Sequence, residues 1–275
     1  MYLDVKIVDV KTLRPDGAVM PRDWDPALYL RHADERARPM ADLVARVPVD
    51  ARTVVDLGSG PGHLTPLLHA RWPEASITGI DASPVMVDTA RRDASAPWVR
   101  YELADVRSWS PPAPADVVVS NATLQWVPDH LDLLSRLADH VAPDGALAFS
   151  VPGNHDAPSH RLLRELAGRP PYAAHTAGVE RPAAHDPEVY LDALAALGWS
   201  VDAWETTYVH VLYGPDPVLR WVSATGARPV LQALPDDLRE AFVAQYAAAL
   251  RDAYPERGAG TLLPFRRVFV VATRA

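Results

Sequence analysis

Cysteine is absent from the 275 residues. That excludes disulfides, thiolate catalysis and cysteine-based zinc sites. Lysine is scarce too: Lys6 and Lys11 are the only ones, and arginine carries the rest of the basic charge. In a chain this rich in Ala and Pro, the preference reads as compositional bias, not phosphate recognition. A positive surface is also missing. The formal charge of −8 speaks against a general nucleic-acid or anionic-membrane face, while leaving room for a local basic pocket. No apolar run approaches membrane-spanning length. Asp4, Lys6 and Asp9 interrupt the first residues, so no signal peptide is read there and a cytoplasmic protein is expected. His155, His160, His175 and His185 lack the companions a metal site needs, and no metal is expected. No internal repeat is found. Hydrophobic residues make up 48% of the chain, ample material for a core.

The most informative stretch is Val54-Val55-Asp56-Leu57-Gly58-Ser59-Gly60-Pro61-Gly62. A short apolar run carries an acidic residue, then meets a loop with glycines at alternate positions, then a helix-like segment from His63 to Arg71. This is the strand, tight turn and helix start of nucleotide-binding α/β folds. Glycines there remove Cβ atoms and let the backbone approach a ligand closely. Asp56 narrows the ligand class. A carboxylate beside a helix N-terminus repels a pyrophosphate, but it suits the ammonium and sulfonium of S-adenosylmethionine. The spacing Gly-x-Gly-x-Gly, not Gly-x-Gly-x-x-Gly, likewise disfavours a nicotinamide oxidoreductase.

Strand and helix signals alternate from about residue 50 to 150. Strands are expected at Thr53–Leu57, Ser76–Ile80, Trp98–Leu103, Asp116–Ser120 and Ala146–Val151. Between them a helix is expected over Pro84–Arg92, with Ser83 as N-cap and Pro84 at its first position, and another over His130–Val141. Such alternation predicts a doubly wound, mostly parallel sheet with helices on both faces. Beyond residue 152 the rhythm breaks. Helices are expected near His160–Ala167, Glu188–Leu197, Pro217–Ala224 and Asp236–Tyr254, with long strands at Trp199–Leu212 and Leu262–Thr273. The reading is one α/β domain over residues 21–275 with a seven-stranded sheet. It has a helical flap at 24–47, a cofactor-binding core at 50–152, and insertions at 153–186 and 214–261 that form a lid over the sheet, beside closing strands at 199–212 and 262–273. Within the flap, Asp25-Pro26 caps a helix to about Ala37 and Pro39 opens a second through Val47. Residues 1–20 read as an extension of uncertain character, with Met20 as an alternative start.

The glycine loop, Gly79-Ile80-Asp81-Ala82-Ser83-Pro84-Val85-Met86, Ala104-Asp105-Val106 and Ser120-Asn121-Ala122 resemble successive motifs of class I, Rossmann-like methyltransferases that use S-adenosylmethionine. Further segments are similar to the trans-aconitate 2-methyltransferase family. They are Asp23-Trp24-Asp25-Pro26-Ala27-Leu28-Tyr29, Asn121-Ala122-Thr123-Leu124-Gln125-Trp126 and Trp221-Val222-Ser223-Ala224-Thr225-Gly226-Ala227-Arg228-Pro229. Glu205-Thr206-Thr207-Tyr208 and Leu263-Pro264-Phe265-Arg266-Arg267-Val268-Phe269 fit that family too. The likeness spans residues 21–274. It places the methionine part of S-adenosylmethionine against Gly58, Ser59, Gly60 and Gly62, with Asp56 toward its ammonium. Asp81, followed by Ala82, is expected to accept the ribose hydroxyls. Met86 is expected on the adenine face, although the same residue type equally suits a core. Asp105 and the Val106 backbone are placed at the adenine amino group, Asn121 near the methyl or the methionine carboxylate, and Trp24 and Tyr29 on the flap.

The implied reaction is carboxyl methylation of trans-aconitate or a similar small polycarboxylate by a monomer. A carboxylate is already ionised at neutral pH, so positioning replaces a general base and no catalytic residue is assigned. Expected substrate contacts are Arg228 as the leading carboxylate clamp, then Tyr208, Trp221, Thr225, Gln125, Trp126 and Arg181. Arg266 is a further candidate with a structural alternative. Methylation of an O, N or C centre of another metabolite is the second reading, with His155 or Tyr208 as base. A cofactor-binding domain without enzymatic activity is the third.

Overall fold

The computed structural model describes residues 33–94, 96–179 and 183–274, and side chains from residue 37 onward. Trp24, Tyr29, Arg181 and the extension at 1–20 lie outside the described residues.

The first described element is a helix, α1 (Ala33–Ala45), and it runs through Pro39 without a break. The expected second start at Pro39 is thus corrected. A proline inside a helix forfeits one backbone hydrogen bond, but Met40, Leu43 and Val44 of the same helix are almost wholly buried on the sheet. That burial outweighs the local penalty.

The alternating core follows: β1 (Thr53–Leu57), α2 (Thr65–Arg71), β2 (Ser76–Asp81), α3 (Pro84–Asp93), β3 (Val99–Leu103), β4 (Ala115–Asn121), α4 (His130–Asp139) and β5 (Val141–Pro152). Ser83 caps α3 as expected, its hydroxyl accepting from the Met86 N–H, with Pro84 in the first turn. The helix expected to reach Val141 stops at Asp139, because Val141 instead joins the sheet opposite Ala115. Next come α5 (Pro158–Ala167), the short α6 (Ala173–Thr176), α7 (Pro187–Ala195), β6 (Trp199–Leu212), α8 (Pro217–Ser223), α9 (Arg228–Ala233) and α10 (Asp236–Ala253), then a two-residue β7 (Glu256–Arg257) and β8 (Gly260–Arg274).

The sheet order is β3-β2-β1-β4-β5-β8-β6, with β7 paired to β8. The first five strands pair in parallel. The long β8 is antiparallel to both β5 and β6. Period-two alternation sorts the strand residues between two apolar layers. Val54, Ile77, Val117 and Val119 face Leu43 of α1 and Leu68 of α2. Val55, Leu57, Val118 and Phe149 face Leu137 of α4 and Tyr190 of α7. A third cluster joins the two insertions to each other: Leu163 of α5, Trp221 of α8, Val230 of α9 and Phe242 of α10 pack together. The Tyr246 hydroxyl donates to the Ser159 carbonyl at 2.9 Å, and the Ser159 N–H donates to the Tyr254 hydroxyl at 3.1 Å. This helical cap therefore has its own core. Among the described residues no helix is long and apolar enough to cross a membrane.

Candidate active site

Two adjoining features occupy the carboxyl ends of the parallel strands, where open α/β sheets bind ligands. The first is a crevice at β1 and β2. Gly58, Gly60 and Gly62 have φ of 75°, 56° and 78°, values at which glycine is strongly favoured. Their spatial roles differ from the simple expectation. A Cβ at Gly58 would overlap Thr123, and one at Gly62 would overlap the Tyr101 phenol, so both glycines make room for protein. Gly60 alone of the three has open space where its Cβ would be, and it is the glycine a ligand can approach. The loop is fastened to β2: Gly58 and Ser59 N–H both donate to the Ile80 carbonyl, at 2.8 and 2.9 Å. Tyr101, whose hydroxyl donates to Thr65 Oγ1 at 2.9 Å, supports it from beneath.

Two carboxyl groups face this loop. Asp56 is 3% exposed. Its pKa is pushed up to about 7, first by burial and then by the neighbouring Asp81 charge. Asp81 accepts the Gly60 N–H at 2.9 Å and the Ser83 N–H at 2.8 Å. Burial still raises its pKa, against the pull of those two donors. Among the described residues no cation offsets this pair of carboxyl groups. Ser59 Oγ is also buried without a hydrogen-bond partner. A cationic ligand bearing hydroxyl groups fits these three residues. Ala82 is exposed beside Asp81, while Met86 is buried on α3 at 3% exposure. At the tip of β3, Asp105 is held by Arg107 Nη2 at 2.6 Å and Nε at 3.0 Å, which keeps its pKa below the usual carboxylate range. Val106 beside it is buried.

The tip of β4 links the crevice to the second feature. Asn121 Oδ1 accepts from Ser150 Oγ at 2.6 Å. Ala122 has φ of 59°, an unusual value for a residue with a Cβ and one that is concentrated at functional sites. Its carbonyl accepts from Gln125 Nε2 at 2.6 Å, and its N–H donates to the Ser150 carbonyl at 2.8 Å. From Ala122 a cavity runs beneath the helical cap. Gln125, Trp126, Trp221 and Thr225, expected to contact substrate, all line it.

Other expected contacts fall elsewhere. Arg228 is half-buried at the start of α9 and does not belong to the lining. Tyr208 is likewise outside it, its hydroxyl donating to Asp42 of α1 at 2.6 Å. Arg266 points away from the cavity, into Glu205 and Asp186. The arginine that does line the cavity is its neighbour Arg267, 5% exposed, in company with Asn154, His155 and His160. Alternation along β8 carries the missed signal. Arg267 shares a strand face with Phe265 and Phe269, a placement that buries a guanidinium among apolar residues. His155 and His160 lie 5.7 Å apart, ring to ring, and a Cβ at Gly226 would overlap the His160 ring. Among the described residues no three metal-ligating side chains converge.

A family model described as a methyltransferase domain matches residues 12–201. The trans-aconitate 2-methyltransferase of Streptomyces avermitilis is 54% identical over 258 residues, covering 90% of this chain and 96% of the relative. That of Streptomyces coelicolor is 54% identical over 265 residues, covering 91% and 86%. Among solved structures, the YcgJ protein from Bacillus subtilis superposes with a TM-score of 0.55 at 14% identity, covering 88% of this chain and 99% of that one, a likeness of fold alone.

Proposed function

The chain belongs to the trans-aconitate 2-methyltransferase family, and from that premise we propose that it methylates a carboxylate of trans-aconitate, using S-adenosylmethionine and forming a monomethyl ester. One observation carries the reading: a cavity that begins at Ala122, beside the Asp56–Asp81 crevice, is lined, among the described residues, by a buried arginine, two imidazoles and two amides but by no carboxylate. A small polyanion suits that lining. A phosphate-bearing dinucleotide does not suit the two carboxyl groups next door.

S-adenosylmethionine supplies an electrophilic methyl group when bound. Asp56 is the residue to pair with its ammonium, Asp81 with its ribose hydroxyls, and the open face of Gly60 allows close approach. Asn121, anchored by Ser150, stands at the junction of the two compartments. Asp105 is already satisfied by Arg107, so a role at an adenine amino group falls to its remaining lone pairs and to the Val106 backbone. On the acceptor side, Trp126 and Trp221 form walls that exclude water and restrict orientation. Gln125 is oriented by its bond to the Ala122 carbonyl, and its Oε1 is buried without a hydrogen-bond partner. An acceptor carboxylate is ionised at neutral pH and attacks without deprotonation, so the chain's work is alignment. The helical cap, closed over the strand tips by α5, α8 and α10, acts as the lid.

The test is direct. Purified protein, S-adenosylmethionine and trans-aconitate are incubated and the product is read by mass spectrometry. A monomethyl ester is expected, together with S-adenosylhomocysteine. Absence of ester, in protein that binds S-adenosylhomocysteine, would reject the acceptor while leaving the cofactor site intact.

A further inference from the structure

We propose that Asn154, His155, His160 and Arg267 form a polyanion subsite that holds the carboxylates not being methylated, and that one proton enters this subsite together with the acceptor. The inference rests on the reading above and deepens it.

Four observations converge. Asn154 is 6% exposed, and neither its amide oxygen nor its amide nitrogen has a hydrogen-bond partner. A buried amide with both ends unpaired is costly unless a ligand pairs it. Arg267 brings a guanidinium into the same cavity at 5% exposure, a planar donor set whose geometry matches a carboxylate. His155 leaves Nε2 buried without a hydrogen-bond partner. In a neutral imidazole one of the two nitrogens carries no proton and presents a bare lone pair. His160 packs against Gly226, its ring 5.7 Å from that of His155.

A bare lone pair repels a carboxylate. Once protonated, the same nitrogen donates to it. The surroundings keep both rings neutral while the cavity holds no anion. Burial holds the His155 pKa below the usual value, as do Arg164 and Arg266, against the Pro152 carbonyl and Asp156. His160 is pushed down to about 4 by burial, His155 and Arg164. From β8, Arg267 lines the cavity, while Arg266, turned away into Glu205 and Asp186, reaches His155 only through its field. The Tyr246 hydroxyl of α10 and the Tyr254 hydroxyl just after it are already bonded to the Ser159 backbone. Asp156 is fully exposed and paired with Arg164 at 3.6 Å, and its pull on His155 is weaker than the opposing burial. An arriving tricarboxylate reverses this field and raises both imidazole pKa values. Between the lowered free value and the raised bound value, the complex holds a proton that the free partners do not. Acceptor affinity then falls as pH rises across that window, by at most about tenfold per unit.

Titration calorimetry with trans-aconitate tests this in protein saturated with S-adenosylhomocysteine, at pH 7 in buffers of different ionisation enthalpy. Uptake of about one proton per acceptor is expected in the unaltered protein. The His155→Gln/His160→Gln double variant should lose most of it. In turnover, KM for trans-aconitate should rise between pH 6 and 8 while kcat stays nearly flat. Asn154→Ala should erase most of the preference for trans-aconitate over a dicarboxylate such as glutaconate. Tight binding without proton uptake overturns the proposal. So does a neutral-pH limb in kcat and not in KM, which would make an imidazole the base for a different acceptor. Failure of trans-aconitate to bind at all, in protein that holds S-adenosylhomocysteine, instead removes the functional reading beneath it.

Discussion

Asp56→Asn is expected to stabilise the ligand-free protein while disabling it. In the folded chain the Asp56 carboxyl group titrates at about 7, against an ordinary value of 3.8. Between those values the native state binds a proton more tightly than the unfolded state. Stability is thus fully retained below 3.8 and lost as pH rises toward 7. Each unit corresponds to about 1.4 kcal/mol, so the full interval sets a ceiling of about 4 kcal/mol. The replacement amide also lies buried and brings its own unsatisfied groups, which reduces the expected gain to about 2 kcal/mol at pH 8. Urea unfolding of both proteins from pH 4.5 to 8, without ligand, reads the effect. The histidines titrate in both proteins and cancel in the difference. The gap should be small at pH 4.5, open with rising pH and level off above 7. S-adenosylhomocysteine should then stabilise the parent and not the variant, since only the parent retains a carboxylate for the ammonium. A variant no more stable than its parent at pH 8 would refute the reasoning and make Asp56 an ordinary structural anchor.

Cofactor and acceptor should respond to pH in opposite directions. Affinity for S-adenosylhomocysteine requires ionised Asp56, so it should weaken below pH 7 by up to about tenfold per unit, as calorimetry would show. Gly60→Ala should fold with a penalty of about 1 kcal/mol, from φ alone, yet bind cofactor poorly. Gly58→Ala should be far less stable by thermal denaturation, because its Cβ would overlap Thr123. Arg267→Gln should raise KM for trans-aconitate at least about tenfold, whereas Arg228→Ala should change it little in the same assay. Tyr208→Phe should cost about 1 kcal/mol through the lost bond to Asp42, with acceptor kinetics unchanged.

The cofactor crevice was legible because its determinants are local. A strand, its terminal carboxylate and the turn that follows are neighbours along the chain, so Asp56, Asp81 and the glycine loop could be placed by alternation and turn chemistry alone. Even there, packing reassigned two glycines: Gly58 and Gly62 make room for Thr123 and Tyr101, side chains brought from the turn after β4 and from β3. The lining of the cavity was only half legible. Gln125, Trp126, Trp221 and Thr225 do line the cavity, whereas Arg228, favoured for its proximity in sequence to Thr225, is not among the lining residues. Arg266 and Arg267 differ in sequence by one position and in structure by a sheet face. One is tied to Glu205 and Asp186, and the other is buried in the cavity.

By itself the sequence determined the parallel core, the carboxylates at the strand tips and the class of methyl donor they suit, because each follows from periodicities shorter than one supersecondary unit. Only the tertiary structure decided which arginine lines the cavity, that Asn154 and two histidines accompany it, and that Tyr208 is spent on α1. Those facts arise where the end of β5 and the start of α5 meet β8, more than a hundred residues away, and no local pattern records such a meeting.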